Sequence, residues 1–185
     1  ISSRGIEVVN GWGRLVSKNT VEVNGVQYRG TNVILASGSF SKTIGLEITD
    51  RVITSDQALN MSQVPGSAII LGGGVIGVEF ASVWNSFGAD VQIIEGLPHL
   101  VPNEDEAVSK VLERSFRKRG IKFNTKTMFD HVDQDANGVT DHTQDGKQFS
   151  ADYLLVAIGR GPATAHLGYE EAGINMERGF VLTDD

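Results

Sequence analysis

The sequence predicts an α/β protein with a parallel sheet, flanking helices and a small antiparallel β-meander. Three observations carry that prediction. The first is an apolar run, Ala68 to Leu71, that enters three adjacent glycines, Gly72-Gly73-Gly74, and then a helical pattern from Val75 to Phe87. The second is a run that is apolar throughout, Tyr153-Leu154-Leu155-Val156-Ala157-Ile158. Strands of a parallel sheet are covered on both faces, so they read as continuous rather than alternating apolar runs. The third is a set of short strand-like segments between 121 and 149 separated by Asn137-Gly138 and Asp145-Gly146 turns.

The N-terminal segment is β-rich. Gly11 to Val16 reads as a strand. Thr20-Val21-Glu22-Val23 and Val26-Gln27-Tyr28 flank Asn24-Gly25, a strong short hairpin signal. Asn32 to Ala36 has the pattern of a buried strand and runs into Ser37-Gly38-Ser39. On its residues alone, this last piece is a turn. Ser55 to Leu59 reads as a short helix with Ser55 as its N-cap, and Pro65-Gly66 as a turn.

The helix from Val75 carries Ile76, Phe80, Val83 and Phe87 at helical spacing, predicting one apolar face, and Gly88 stands where a glycine would end it. After a loop with Pro98 and Pro102, a second helix is expected over Glu104 to Arg119. Its apolar stripe is Ala107, Val108, Val111, Leu112 and Phe116, and Gly120 is its stop. Acids in its first turn and Arg117-Lys118-Arg119 in its last complement the helix dipole, so the basic cluster reads as a helix end rather than a nucleic-acid patch.

Composition bounds the function. The chain has 185 residues, 22 glycines, 4 prolines, no cysteine and a net charge of −7. The acidic balance argues against nucleic acid, and no apolar run reaches the roughly 20 residues of a membrane span. The missing cysteines exclude disulfides, thiolate metal sites and a cysteine nucleophile within these residues, and a cytoplasmic location is expected. His99, His131, His142 and His166 lack paired-ligand spacing and read as surface or loop residues, so no metal is expected.

The glycine turn carries the sharpest chemistry. Gly72, Gly74 and Gly77 stand at G-x-G-x-x-G spacing. The first glycine makes the tight turn, the second admits a pyrophosphate close to the backbone, and the third lets helix and strand pack. The helix N-terminus then faces the phosphates with free N–H groups. A second apolar run, Val91 to Ile94, ends in Glu95, 23 positions beyond Gly72, where an NAD site places a carboxylate for the adenosine ribose. No acid precedes the glycines, as methyltransferases usually have, and no Gly-Lys-Ser/Thr marks a P-loop. The fold expected is therefore a Rossmann-like dinucleotide-binding domain. Glu95 would repel the 2′-phosphate of NADP, which favours NAD.

Several blocks together resemble one family. They are Ile34 to Ser39, Val52 to Leu59, Leu71 to Trp84 (LGGGVIGVEFASVW), Leu154 to Pro162 (LLVAIGRGP) and Leu167 to Ile174. In order and spacing they are similar to the middle of the pyridine nucleotide–disulfide oxidoreductases, most of all the dihydrolipoamide dehydrogenases. The resemblance covers nearly the whole chain. It implies FAD/NAD(P)-binding domains, with residues 1–45 the C-terminal part of a split FAD-binding domain, 46–165 the NAD-binding domain, and 166–185 a segment returning to the FAD domain. Gly72, Gly74, Val75, Ile76 and Gly77 would hold the NAD pyrophosphate, and Glu95 the adenosine ribose. Thr127 would lie by the adenine, with Ile158 and Gly159 at the nicotinamide end. Ser37, Gly38 and Ser39 would touch FAD, which replaces the plain-turn reading. Glu79 matches the glutamate that pairs with a lysine beside the flavin; on its own it is an acid in a helix's first turn.

The resemblance further implies a flavoprotein oxidoreductase that passes electrons from dihydrolipoamide through FAD to NAD. It would be a homodimer and part of a 2-oxo acid dehydrogenase complex. The chain departs from the family pattern. It lacks the N-terminal FAD fingerprint, the redox cysteine pair, the later Gly-Asp block and the C-terminal interface domain with its His–Glu pair. Ile44 stands where a proline is common, and the stretch from Val139 to Asp145 looks short for a strand pair. The chain therefore reads as a fragment without catalytic activity of its own. Two other readings stay open: a sibling reductase acting on another disulfide, on mercury or on NADH, and a non-catalytic NAD-binding redox sensor.

Overall fold

The fold described here is a computed structural model and covers residues 2–184. In chain order, a 3-10 turn (Ser2–Arg4) leads to β1 (Gly13–Ser17), β2 (Thr20–Val23), β3 (Val26–Arg29) and β4 (Ser39–Ser41). There follow β5 (Val52–Thr54), α1 (Ser55–Ala58), β6 (Ser67–Leu71), α2 (Val75–Ser86), β7 (Asp90–Ile94) and α3 (Glu106–Arg119). The chain continues through β8 (Lys122–Asn124), β9 (Phe129–Gln134), β10 (Val139–Thr143), β11 (Gln148–Ala151) and β12 (Tyr153–Val156). It closes with β13 (Arg160–Pro162), β14 (Met176–Glu177) and β15 (Phe180–Val181). Residue 185 of the expected closing segment lies outside the described residues. Two compact units result, residues 41–160 and residues 2–40 with 161–184.

The larger unit has three layers. Its central sheet runs β5-β12-β6-β7-β8, every neighbouring pair parallel. Alternation along the strands feeds two cores. On one face Ile70, Val91, Ile93 and Leu155 pack against Val78, Ala81 and Trp84 of α2 and Phe116 of α3. On the other, Ile69, Leu71, Leu154 and Val156 meet the meander β9-β10-β11 through Val139, Val132 and Phe149. The meander is complete. All five residues of β10 pair with β9 and four of them, Val139 to His142, also with β11, so the stretch after Val139 is not short for a strand pair.

The smaller unit holds the meander β1-β2-β3 and the hairpin β14-β15. Asn24 and Gly25 both have positive φ, 52° and 79°, as the expected tight hairpin requires. Leu15, Tyr169 and Ala172 form its small core, and the Leu15 amide donates to the Leu167 carbonyl at 2.8 Å.

Four expectations are corrected. Asn32 to Ala36 forms no strand, and Ile34 is 89% exposed; among the described residues no strand pairs with it, and an apolar run is ordered as a strand only by a neighbour. The first short helix is capped by Thr54, not Ser55. The Thr54 hydroxyl accepts from the Asp56 amide, and Gln57 Oε1 accepts from the Thr54 amide at 3.0 Å, a reciprocal capping box.

The buried face of α2 is Gly77, Val78, Ala81 and Trp84, whereas Val83 and Phe87 are exposed. Ile76 and Phe80 keep partial contact with the same core, and Trp84, edge-on to Phe80 with ring centroids 5.3 Å apart, takes the place expected for Val83 and Phe87. α3 starts at Glu106 behind the N-cap Asp105, and buries Ser109, Glu113 and Phe116 while Val108 and Val111 face outward. Polar contacts set that rotation: Glu113 Oε1 accepts from the Leu100 amide at 3.2 Å, and the Ser109 hydroxyl donates to the Val101 carbonyl at 3.4 Å. Hydrophobic periodicity does not register such contacts.

One core residue is out of place. Asp141 on β10 is fully buried on the sheet-facing side of the meander, and neither carboxyl oxygen has a hydrogen-bond partner. Burial pushes its carboxyl up from 3.8 to about 7, opposed by the charge of His131.

Candidate dinucleotide site

A cleft of about 460 Å³ opens at the carboxyl ends of β6, β7 and β12, the edge at which open α/β sheets bind ligands. The glycine turn forms its floor. The Gly72 amide donates to the Ile94 carbonyl at 2.8 Å, and the Ala157 amide donates to the Leu71 carbonyl at 2.8 Å, so the turn is pinned to both neighbouring strands. Gly72 has φ of +106°, and a Cβ there would stand 2.5 Å from the Ala157 carbonyl oxygen. At Gly77 a Cβ would stand 2.0 Å from the Gly72 carbonyl oxygen. Both positions admit only glycine, one for the turn and one for the close approach of helix to strand.

Gly74 differs. A Cβ there would meet no protein atom within 4 Å, and the residue lines the cleft. As N-cap of α2 it offers no side-chain cap. The first amides of a helix have no intrahelical acceptor, so those of the Gly74-Val75-Ile76 turn are available to an anion at the positive end of the dipole. A free cradle of amides with open space above its middle glycine fits a pyrophosphate.

Glu95 closes one wall. It is buried, its Oε2 accepts from the Gly73 amide at 2.6 Å, and its Oε1 accepts from the Leu97 amide at 2.7 Å. The carboxylate is thereby fixed in place with lone pairs left for hydroxyl donors. It also buttresses the glycine turn, a structural role that spacing alone does not reveal. Glu95→Gln replaces one acceptor by an amide that faces a backbone N–H. We expect a stability loss of about 1–3 kcal/mol, measured by urea unfolding, together with about tenfold weaker NADH binding; unchanged values for both would contradict this role.

The cleft gathers Gly72, Gly74, Val75, Ile76, Glu95, Thr127, Ile158 and Gly159 from four separate segments. Gly77 does not line it and acts through packing. Met128, Phe129, Pro102 and Asn103 also line it and were not anticipated. Phe129 opens β9, and the others lie in loops held by long-range hydrogen bonds: the Val101 amide donates to the Gly73 carbonyl at 2.7 Å, and the Thr127 amide to the Glu95 carbonyl at 3.0 Å. Three predicted positions lie elsewhere, in the smaller unit. Ser37, Gly38 and Ser39 are exposed, and the Gly38 carbonyl accepts from the Ala163 amide at 3.0 Å. Glu79 is exposed on α2, past its first turn, in which no acid stands.

The family model of the pyridine nucleotide-disulphide oxidoreductases matches residues 1–185. The chain belongs to this family. Among pyridine nucleotide-disulphide oxidoreductases, a dihydrolipoamide dehydrogenase of Chaetomium thermophilum is 37% identical over 97% of this chain and 38% of its own length. A dihydrolipoyl dehydrogenase of Acholeplasma laidlawii is 35% identical over 100% of this chain and 56% of its own. The solved structure of the HOCl-induced flavoprotein disulfide reductase RclA of Escherichia coli superposes with a TM-score of 0.84 at 32% identity, over 96% of this chain and 42% of that one. The chain thus spans roughly two fifths to just over half of the length of these relatives. No helix among the described residues is long and apolar enough to cross a membrane.

Proposed function

We propose that this chain is the NAD-binding portion of a flavin-dependent disulfide oxidoreductase, and that the parent reaction is that of dihydrolipoamide dehydrogenase. In that reaction dihydrolipoamide loses two electrons and two protons to become lipoamide, and NAD+ gains a hydride with release of a proton. The observation that carries the reading is the uncapped glycine turn and the fixed Glu95 carboxylate facing one cleft.

NAD and FAD, when bound, supply the redox chemistry; the protein's part is binding, orientation and electrostatics. The Gly74-Val75-Ile76 amides bind the pyrophosphate. Glu95 accepts from the adenosine ribose hydroxyls, and Thr127 borders the adenine. Ile158 and Gly159 approach the nicotinamide end by backbone. Ser37, Gly38 and Ser39 are assigned to FAD, and Glu79 to the flavin side. Without a thiol the chain has no group for the dithiol step, so we expect it to be inactive alone. Residues 1–45 and 166–185 are assigned to the FAD domain, and 46–165 to the NAD domain. The parent is proposed to be a homodimer serving a 2-oxo acid dehydrogenase complex. A cytoplasmic location also stays a proposal, since relatives from Arabidopsis thaliana and Schizosaccharomyces pombe are named mitochondrial.

A second reading, a sibling reductase with another acceptor or disulfide, is favoured by one observation. A leghemoglobin reductase of Glycine max matches at 32% identity over 97% of the chain, close to the dehydrogenases.

Fluorescence titration of the 185-residue chain with NADH and NADPH tests the cofactor assignment. NADH is expected to bind at least about tenfold more tightly, reflecting repulsion between Glu95 and a 2′-phosphate. Equal affinity or a preference for NADPH would contradict it.

A further inference from the structure

The outward face of the meander carries a cluster that the dinucleotide reading does not use. Antiparallel register sets His131 of β9 opposite His142 of β10, and Asp133 opposite Thr140. Along β10, Val139, Asp141 and Thr143 turn inward, which leaves His142 on the outer side. The imidazole rings of His131 and His142 stack with centroids 4.2 Å apart and planes 8° from parallel. Asp133 Oδ2 lies 3.1 Å from His142 Nε2.

The register shifts between His142 and Thr143, because Phe129 rather than Asp130 is opposite Thr143. Asp130 is the extra residue of a β-bulge, which re-aims side chains that would otherwise alternate. It reaches His131, its own neighbour in sequence, with Oδ2 2.8 Å from Nδ1.

We propose that His131, Asp133 and His142 bind one divalent transition-metal ion of the zinc class. One ligand-capable atom of each lies within 4.8 Å of the other two. Bonds of about 2.1 Å in a tetrahedral site put ligand atoms roughly 3.4 Å apart, so the set closes once the stacked rings tilt out of parallel and face one point, with His131 and Asp133 exposed and His142 partly buried. Two imidazoles and one carboxylate select zinc, nickel or copper over magnesium and calcium, which prefer all-oxygen sites. Asp130 supplies the outer carboxylate that fixes a ligating imidazole, leaving Nε2 of His131 for the ion. The half-exposed face gives the ion entry and leaves the remaining coordination position to water. Bound metal would clamp β9 to β10 just beyond Phe129, which lines the nucleotide cleft.

The test is calorimetric titration of the 185-residue chain with ZnCl2 in a non-chelating buffer near neutral pH. One ion is expected to bind in the micromolar range and to raise the thermal midpoint. His131→Ala and His142→Ala should each weaken binding at least about tenfold, and His99→Ala should leave it unchanged. Ring-proton NMR of the unmutated chain gives a readout that does not depend on any variant folding: the resonances of His131 and His142 should shift with zinc while those of His99 and His166 stay. Binding no tighter than millimolar, binding retained in His142→Ala, or shifts confined to other histidines would each overturn the proposal and leave a plain histidine–aspartate pairing.

Discussion

Gly74→Ala is expected to weaken NADH binding at least tenfold while changing stability by no more than about 1 kcal/mol, the scale of a residue swap at an N-cap. The added methyl meets no protein atom within 4 Å, so the fold accommodates it. It projects from a cleft-lining residue at the uncapped start of α2, between the backbone and the place assigned to the pyrophosphate. Gly72→Ala is the matching contrast. There φ is +106° and the Cβ would stand 2.5 Å from a backbone oxygen. Left-handed strain and overpacking each cost about 1–3 kcal/mol, so Gly72→Ala should lose stability and binding together. Thermal unfolding and NADH titration on the two variants check this. If Gly74→Ala binds NADH like the unmutated chain, the pyrophosphate does not lie on this turn.

The second large effect is a gain. Asp141→Val should raise stability by about 2 kcal/mol at pH 8, because it removes a buried carboxyl without a partner from a core formed by Ile69, Leu71, Ile94 and Val139. The sign with pH follows from linkage. The folded-state value is raised to about 7 from 3.8, so the folded chain holds a proton that the unfolded chain has released between those values. Stability is therefore full below about 4 and falls as pH rises toward 7. The advantage of Asp141→Val should be small at pH 4, grow up to about pH 7 and then level off. Urea unfolding at several pH values, with a chelator present to keep metal off His131 and His142, measures it. An equal advantage at pH 4 and pH 8 would show that Asp141 does not titrate as described.

The two largest features of the larger unit were legible because each is written locally. The glycine turn needs its residue types at Gly72, Gly74 and Gly77, and the all-apolar Tyr153 to Ile158 run announces a strand covered on both faces. The Asn24-Gly25 hairpin was legible for the same reason, since positive φ at two adjacent residues is a local demand. Misreadings arose where a non-local partner decides. Asn32 to Ala36 has the composition of a strand, but no strand pairs with it among the described residues. Thr54 displaced Ser55 as cap for a local reason instead: its hydrogen bonds with Gln57 and Asp56 fix where the helix starts.

The proposal of a dinucleotide site rests on the sequence itself: glycine types, their spacing and an acid after the second strand point to a phosphate cradle and a ribose acceptor. The tertiary structure alone decided three things. It gave Glu95 a second duty, because the Gly73 amide reaches its carboxylate only after β6 and β7 pair. It chose the face of α2, because Trp84 rather than Val83 or Phe87 fills the space beside Phe80 in the core under the helix. It also brought His131 and His142 together, since cross-strand register and a one-residue bulge are set by strand pairing and leave no periodic trace in the chain.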